Sequence, residues 1–308
     1  LVTEGRGTGK YEQLLARCQG MPAVATAVAH PCDDASLGAA VEAARARLIA
    51  PILVGPAQKI RALAKASGIE IDPYEIVDVP HSHAAAARAV ELVRSGRAEL
   101  LMKGSLHTDE LMGEVVKRET GLRTERRVSH VFVMDVPTYH KPLSITDAAV
   151  NIFPTLDDKR DIVQNAIDFM RALGVERPRV AILSAVETVT TKIPSTIDAA
   201  ALCKMADRGQ IQGGILDGPL AFDNAISAEA ARTKGIVSPV AGDPDIILVP
   251  DLEAGNMLAK NLTFLSRADA AGIVLGARVP IILTSRADNE RARLASCGVA
   301  ALYAAARR

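Results

Sequence analysis

Short aliphatic runs alternate with amphipathic stretches along nearly the whole chain, and few folds other than a helix-covered parallel sheet absorb that pattern. Ala23-Val24-Ala25-Thr26-Ala27-Val28-Ala29 precedes a helical periodicity over 35–48, which leads into Ala50-Pro51-Ile52-Leu53-Val54-Gly55. This is β-α-β order. It continues as helix 56–67, strand 75–79, helix 82–95 and strand 98–103, with no long structureless interval between elements. The core such strands need is available: 49% of residues are hydrophobic, yet Trp is absent and aromatics are 3%, so Ala, Val, Ile and Leu must fill the interior.

The rhythm changes over 129–151. Ser129-His130-Val131-Phe132-Val133-Met134-Asp135 and residues 141–150 read as two strands without an intervening helix, an antiparallel pair. A second series then runs as helix 156–173, strand 179–185, helix 195–209, strand 211–217, helix 225–234, strand 245–250 and helix 253–266. Strands 270–276 and 279–284 and a closing helix 286–306 complete the chain. At 308 residues it exceeds the size at which single cores stop growing, so two α/β domains are expected. The expected division is a polar, Gly-rich lead-in or linker at 1–20, domain one from 21–141 plus 286–308, and domain two from 142–285. No period of 20 to 50 residues supports a solenoid.

Charge and motif content remove several functional classes. Lys plus Arg and Asp plus Glu balance at 36 each, leaving no global field for nucleic acid or an acidic membrane surface. No apolar run approaches the roughly 18 residues of a membrane span. Cys18, Cys32, Cys203 and Cys297 are scattered without a CxxC pair, which predicts free thiols and a cytoplasmic protein. Glu4 to Tyr11 imitates a phosphate loop, but the spacing is one residue short and Tyr11 replaces the hydroxyl residue. His81 and His83 lack further ligands at zinc spacing and read as capping or solvated histidines, so no metal site is expected. Neither a G-x-S-x-G elbow nor a dinucleotide fingerprint is present.

In open α/β sheets ligands bind beyond the carboxyl ends of strands, and four polar clusters follow apolar runs. Leu101-Met102-Lys103-Gly104-Ser105-Leu106-His107-Thr108 supplies a cation, a glycine and hydroxyls before a helix; either an anion at the helix N-terminus or a plain N-cap accounts for it. Ile281-Ile282-Leu283-Thr284-Ser285-Arg286-Ala287-Asp288 sets Arg286 where the macrodipole disfavours a cation, unless an anion or Asp288 or Glu290 compensates. In Pro250-Asp251-Leu252-Glu253-Ala254-Gly255-Asn256, capping already explains Asp251 and Glu253. Asp147 and Asn151 interrupt the apolar Ile145-Thr146-Asp147-Ala148-Ala149-Val150-Asn151, and as buried polar groups they are expected to line a cleft.

Taken together, in this order and spacing, the four clusters resemble the phosphate acetyltransferase/butyryltransferase family, and the likeness runs from about Ala23 to the C-terminal helix. The resemblance implies two α/β/α domains with a central cleft, similar to the isocitrate and isopropylmalate dehydrogenases, in a homodimer. It implies exchange of a short acyl group, acetyl first, between coenzyme A and inorganic phosphate: acyl-CoA plus phosphate gives acyl phosphate plus coenzyme A through a ternary complex, with no cofactor or metal. By the same likeness Ser285 and Arg286 lie at the acyl and phosphate site, and the turn from Ser105 to Thr108, with His107, contacts phosphate or coenzyme A. Lys103, Asp147, Asn151, Asp251, Asn256 and Thr284 complete the substrate-binding set.

Two departures stand out. Acetyltransferase members carry an Asp seven residues after that Ser, where this chain has Ala292, which leaves Asp288 as the nearest carboxylate to act as base. They also carry an Arg seven positions after the His, where Glu114 stands here, while Lys103 resembles the butyryl branch. Three alternatives follow. One is a butyryltransferase with longer acyl preference. Another is a non-catalytic acyl-CoA-binding regulatory domain, since related domains occur fused to malic enzymes. The third, a metal-dependent dehydrogenase, is disfavoured because Asp217, Asp223 and Asp251 are scattered. Residues 1–20 could equally be the remnant of a fused partner such as an enoyl-CoA hydratase domain.

Overall fold

The computed structural model describes residues 9–283 and 288–308. In chain order the elements begin α1 (Lys10–Cys18), β1 (Val24–Ala29), α2 (Asp34–Arg45), β2 (Ile49–Gly55), α3 (Ala57–Ser67), β3 (Glu75–Asp78), α4 (Ser82–Arg94), β4 (Leu100–Lys103) and α5 (Thr108–Val115). They continue β5 (Ser129–Asp135), β6 (Leu143–Thr146), α6 (Leu156–Ala172), β7 (Arg179–Leu183), α7 (Pro194–Asp207), β8 (Ile215–Leu220), α8 (Phe222–Ile226), α9 (Ala228–Thr233), β9 (Ile246–Leu248) and α10 (Leu252–Phe264). The chain closes with β10 (Asp269–Leu275), β11 (Ile281–Ile282) and α11 (Glu290–Ala305).

Two compact units result. One comprises Tyr11–Arg126 and Ala271–Arg308, the other Arg127–Ala270 together with Lys10, whose amine bonds Asp135 and the carbonyls of Val136 and Tyr139. The divisions thus fall 15 residues before the expected 141/142 and 285/286 boundaries. The reason is strand pairing: β5 joins β6 antiparallel through Val131↔Thr146 and Met134↔Leu143, so it goes with the second unit. At the other end, β10 pairs antiparallel with β11 through Val274↔Ile281, so both strands go with α11. The expected lead-in at 1–20 also needs correction. Residues 10–18 form a helix whose Leu14, Leu15 and buried Cys18 pack against Gly298 of α11, with the Cys18 thiol 3.6 Å from the Gly298 carbonyl.

In the first unit the strands run in the order β3-β2-β1-β4-β11-β10, and β1, β2, β3, β4 and β11 are parallel. Their interior is aliphatic as composition requires: Val24, Ala27, Val28, Leu53, Leu100, Leu101 and Met102 are fully buried. Each buried Leu or Val contributes about 2 kcal/mol. In the second unit the order is β5-β6-β9-β7-β8, with β6, β9, β7 and β8 parallel. Met134, Ile145, Ala181 and Ile247 are fully buried in its core. The helix expected at 225–234 is split into α8 and α9, because Ser227 is extended (φ −109°, ψ 114°) and its hydroxyl caps α9 at the Ala230 N–H.

Candidate functional site

Each unit collects its polar turns at the carboxyl ends of its parallel strands. In the first unit, β1 ends at Ala29 beside Lys103, the last residue of β4, and β4 in turn pairs with β11 through Leu101↔Ile281 and Met102↔Ile282. The chain therefore leaves β1, β4 and β11 at one edge, from three adjacent strands. Thr284, Ser285 and Arg286 follow β11 in sequence and lie outside the described residues. Asp288 is described and half-buried, ahead of the α11 N-cap Asn289.

The turn after β4 is fixed by its neighbour after β1. Gly104 donates its N–H to the Ala29 carbonyl at 2.8 Å and Ser105 donates its N–H to the His30 carbonyl at 2.9 Å. A Cβ at Gly104 would lie 2.3 Å from the Ala29 oxygen, so only glycine permits this approach. The Ser105 hydroxyl donates to the His30 carbonyl at 2.9 Å, and its oxygen lies 3.0 Å from His30 Nδ1 and accepts the Cys32 N–H at 3.3 Å. The hydroxyl thus has three partners, the His30 carbonyl, His30 Nδ1 and the Cys32 N–H, which take up its hydrogen and lone pairs. Ser105, expected to contact substrate, holds the turn through these bonds.

His30 itself adopts φ 55° and is kept below the ordinary histidine range by burial, reinforced by Lys59 and opposed by Glu110 and Asp33. A neutral imidazole follows. Lys103 is half-buried, with Nζ 3.3 Å from the Gly104 carbonyl. His107 is the N-cap of α5 without a side-chain capping bond, and both it and Thr108 are exposed at that helix start. Lys103, His107 and Thr108 therefore share the edge with backbone N–H groups of α5, an arrangement suited to an anion. Glu114 pairs with Lys117 at 2.7 Å.

In the second unit Asp147 and Asn151 are buried as expected, but their polar atoms are turned inward. Asp147 Oδ1 accepts the N–H groups of Ala149 and Val150 at 2.9 and 3.0 Å, and Oδ2 accepts from the backbone N–H and the side-chain amide of Asn151. Four acceptances exhaust a carboxylate. Asn151 Nδ2 also donates to the Val128 carbonyl at 2.9 Å, while its Oδ1 accepts from Arg127 Nε at 2.7 Å. Both residues thus shape the loop through these bonds. Asp251 is the N-cap of α10, accepting the Ala254 N–H at 2.9 Å, and Asn256 donates to the Ala148 carbonyl at 3.2 Å. Gly255 lets α10 close on the loop, since a Cβ there would meet Asp147 O at 3.0 Å and the Ala148 side chain at 2.9 Å.

His130 on β5 is 2% exposed, and burial drives its pKa down to about 4, against a smaller upward pull from Asp147. Sequence reading missed His130, His30, Cys32 and Arg127. The signal for His30 was available, because it directly follows an apolar run; Arg127 has no local mark. The four thiols are free, and burial raises all of them, Cys18 to about 11 and Cys203 and Cys297 to about 12. Among the described residues no three His, Cys, Asp or Glu side chains are grouped to hold a metal ion, and no helix is long and apolar enough to cross a membrane.

Polar turns gathered at the carboxyl ends of parallel strands, one of them opening a helix N-terminus beside a lysine, define a two-unit α/β protein built to hold anionic ligands. Comparison with known proteins narrows that class. The phosphate acetyl/butaryl transferase family matches residues 82–301. The phosphate acetyltransferase of Rhizobium meliloti is 70% identical over 299 residues, covering 97% of this chain and 95% of the relative. The phosphate butyryltransferase of Clostridium beijerinckii is 43% identical over 295 residues, covering 96% and 98% respectively. The crystal structure of a branched-chain phosphotransacylase from Enterococcus faecalis V583 superposes with a TM-score of 0.80 at 30% identity, covering 91% of this chain and 99% of that one. The chain belongs to the phosphate acetyl/butaryl transferase family and is an enzyme of the transferase class.

Proposed function

We propose that this enzyme exchanges a short acyl group, acetyl by preference, between coenzyme A and inorganic phosphate through a ternary complex. The observation that carries the reading is the shared edge of β4 and β11: the parallel register at Met102↔Ile282 brings the Lys103 turn and the end of β11 to the same side of the sheet, and Ser285 and Arg286 follow β11 in sequence. Acetyl is favoured over butyryl by the 70% identity to an acetyltransferase against 43% to a butyryltransferase.

In the reaction a phosphate oxygen attacks the thioester carbonyl, the new C–O bond forms, and the C–S bond breaks to release a thiolate that takes up a proton. Charge develops on the carbonyl oxygen in between, so a fixed cation and a hydroxyl donor stabilise the transition state more than the ground state. Arg286 and Ser285 are assigned to that oxyanion and the phosphate. Lys103 steadies the leaving thiolate, whose pKa near 8.5 requires modest help. Asp288 acts as base toward the thiol in the reverse direction. His107, Thr108 and the α5 N–H groups hold phosphoryl oxygens, and Thr284 adds a hydroxyl. Ser105, Asp147, Asn151, Asp251 and Asn256 maintain the turns.

No cofactor enters this chemistry, since neither redox nor Lewis-acid steps are needed. The enzyme is assigned to the cytoplasm as a homodimer; support for the dimer comes from Met257 and Phe264, exposed at 65% and 74% and seven residues apart on one face of α10. Acyl phosphate formation, measured with acetyl-, propionyl- and butyryl-CoA, tests the function. Acetyl should be fastest, and Arg286→Ala should lower turnover by about 10²- to 10³-fold while leaving the urea midpoint in place. An Arg286→Ala enzyme of normal turnover would remove Arg286 from the site.

A further inference from the structure

Arg127 is 55% exposed, yet it is held at three points. Its N–H donates to Asp161 Oδ2 at 2.9 Å, its carbonyl accepts from Asn165 Nδ2 at 2.8 Å, and its Nε donates to Asn151 Oδ1 at 2.7 Å. Asn151 is in turn anchored to Asp147 and to the Val128 carbonyl. Among the described residues no acceptor hydrogen-bonds either terminal Nη. An exposed arginine is ordinarily a loose side chain; this one is immobilised at the inner end of its guanidinium with the outer fork presented.

Its place in the fold gives that fork a purpose. Because β5 runs antiparallel to β6, the segment entering β5 lies at the same edge as the loop leaving β6, the carboxyl edge of the second unit's parallel strands. The acidic neighbours meet it away from the fork. Asp158 pairs through Oδ1 with the inner end of the guanidinium, 3.6 Å from Nε, while its Oδ2 accepts from the Thr155 N–H and hydroxyl in the α6 capping box. Asp161 is divided between the Arg127 N–H and the guanidinium of Arg160. Two parallel N–H donors in a fixed fork match a pair of phosphoryl oxygens, and prior immobilisation removes much of the ordering cost.

We propose that Arg127 is a substrate-binding residue that grips a phosphoryl group through both Nη atoms, with Asn151 and Asp147 as the positioning relay behind it. The inference rests on the phosphate-acyl exchange proposed above, which offers two sources of that chemistry: inorganic phosphate and the phosphates of coenzyme A. The test variant is Arg127→Gln, whose amide can still donate to Asn151 but lacks the fork; Arg127→Lys, which keeps charge without the fork, accompanies it. KM for phosphate and for acetyl-CoA is measured for each, together with the urea midpoint and calorimetric titration of inorganic phosphate and of coenzyme A.

Loss of a charge-assisted pair should raise one KM, and the matching Kd, by about 10- to 100-fold, with Lys recovering only part. The substrate affected identifies the source. Unchanged KM and Kd for both ligands in Arg127→Gln, whatever happens to the urea midpoint, would overturn the proposal and leave Arg127 a structural residue. If wild-type enzyme showed no phosphate-dependent turnover, the exchange reading would fail by itself, and the two titrations would still decide whether Arg127 holds a phosphoryl group.

Discussion

Gly104→Ala should disable the enzyme by moving the turn that Lys103, His107 and Thr108 depend on. The added Cβ would lie 2.3 Å from the Ala29 oxygen, 2.4 Å from the His30 oxygen and 2.6 Å from the His30 carbonyl carbon, all backbone atoms at the end of β1 and the residue after it. Reaching ordinary contact requires the turn to retreat by roughly 1 Å. That retreat breaks the Gly104 N–H to Ala29 bond of 2.8 Å and the Ser105 N–H to His30 bond of 2.9 Å. At about 1 kcal/mol each, with about 1–3 kcal/mol of overpacking strain, the loss comes to roughly 3–5 kcal/mol. A 1 Å displacement of positioning groups also lowers turnover by about 10²-fold. Gly113→Ala is the matched control: it sits in α5 with nothing within 4 Å of the added methyl, and should gain about 0.5–1 kcal/mol at full activity. Urea midpoints and phosphate-dependent thiol release read both variants. Gly104→Ala with a wild-type midpoint and wild-type turnover would refute the reasoning.

Stability should fall in mild acid because of His130. Its folded-state pKa of about 4 lies below the ordinary 6.5, so the unfolded chain binds the proton more readily; stability is whole above pH 6.5 and drops by up to about 3 kcal/mol as pH falls toward 4. Urea midpoints across that range should decline, and His130→Asn should flatten the decline; an unchanged slope in the variant would assign the acid sensitivity to other groups. The thiols raised to about 11 and 12, Cys18, Cys203 and Cys297, should resist a chromogenic thiol reagent at pH 8 in the folded enzyme and react after denaturation. Rapid native labelling of Cys297 would contradict its burial.

The β-α-β order was legible because buried parallel strands read as continuous aliphatic runs, and the antiparallel pair over 129–151 was legible because no helical period intervenes. Helix α1 was not, since its apolar contacts, Leu14, Leu15 and Cys18 against Gly298, are made to the far end of the chain. Strand β11 was expected over 279–284, but only its two central residues pair as a strand, because its length is set by its partners β4 and β10. The site divides in the same way. Lys103, His107 and Thr108 announce themselves by following an apolar run. The saturation of Ser105 depends on His30, 75 residues away, and the immobilisation of Arg127 depends on Asn151, 24 residues away. Polar composition can say that a buried Asp147 needs partners; it cannot say that four donors of its own loop already supply them.

One assay bears most directly on the transferase reading: thiol release from acetyl-CoA by the purified enzyme in chelator-treated buffer, with and without inorganic phosphate. Release that requires phosphate, persists after chelation and is matched by acyl phosphate is the predicted result. Retained acetyl-CoA binding with no phosphate-dependent release would contradict the transferase reading of this chain and point to an acyl-CoA-binding role.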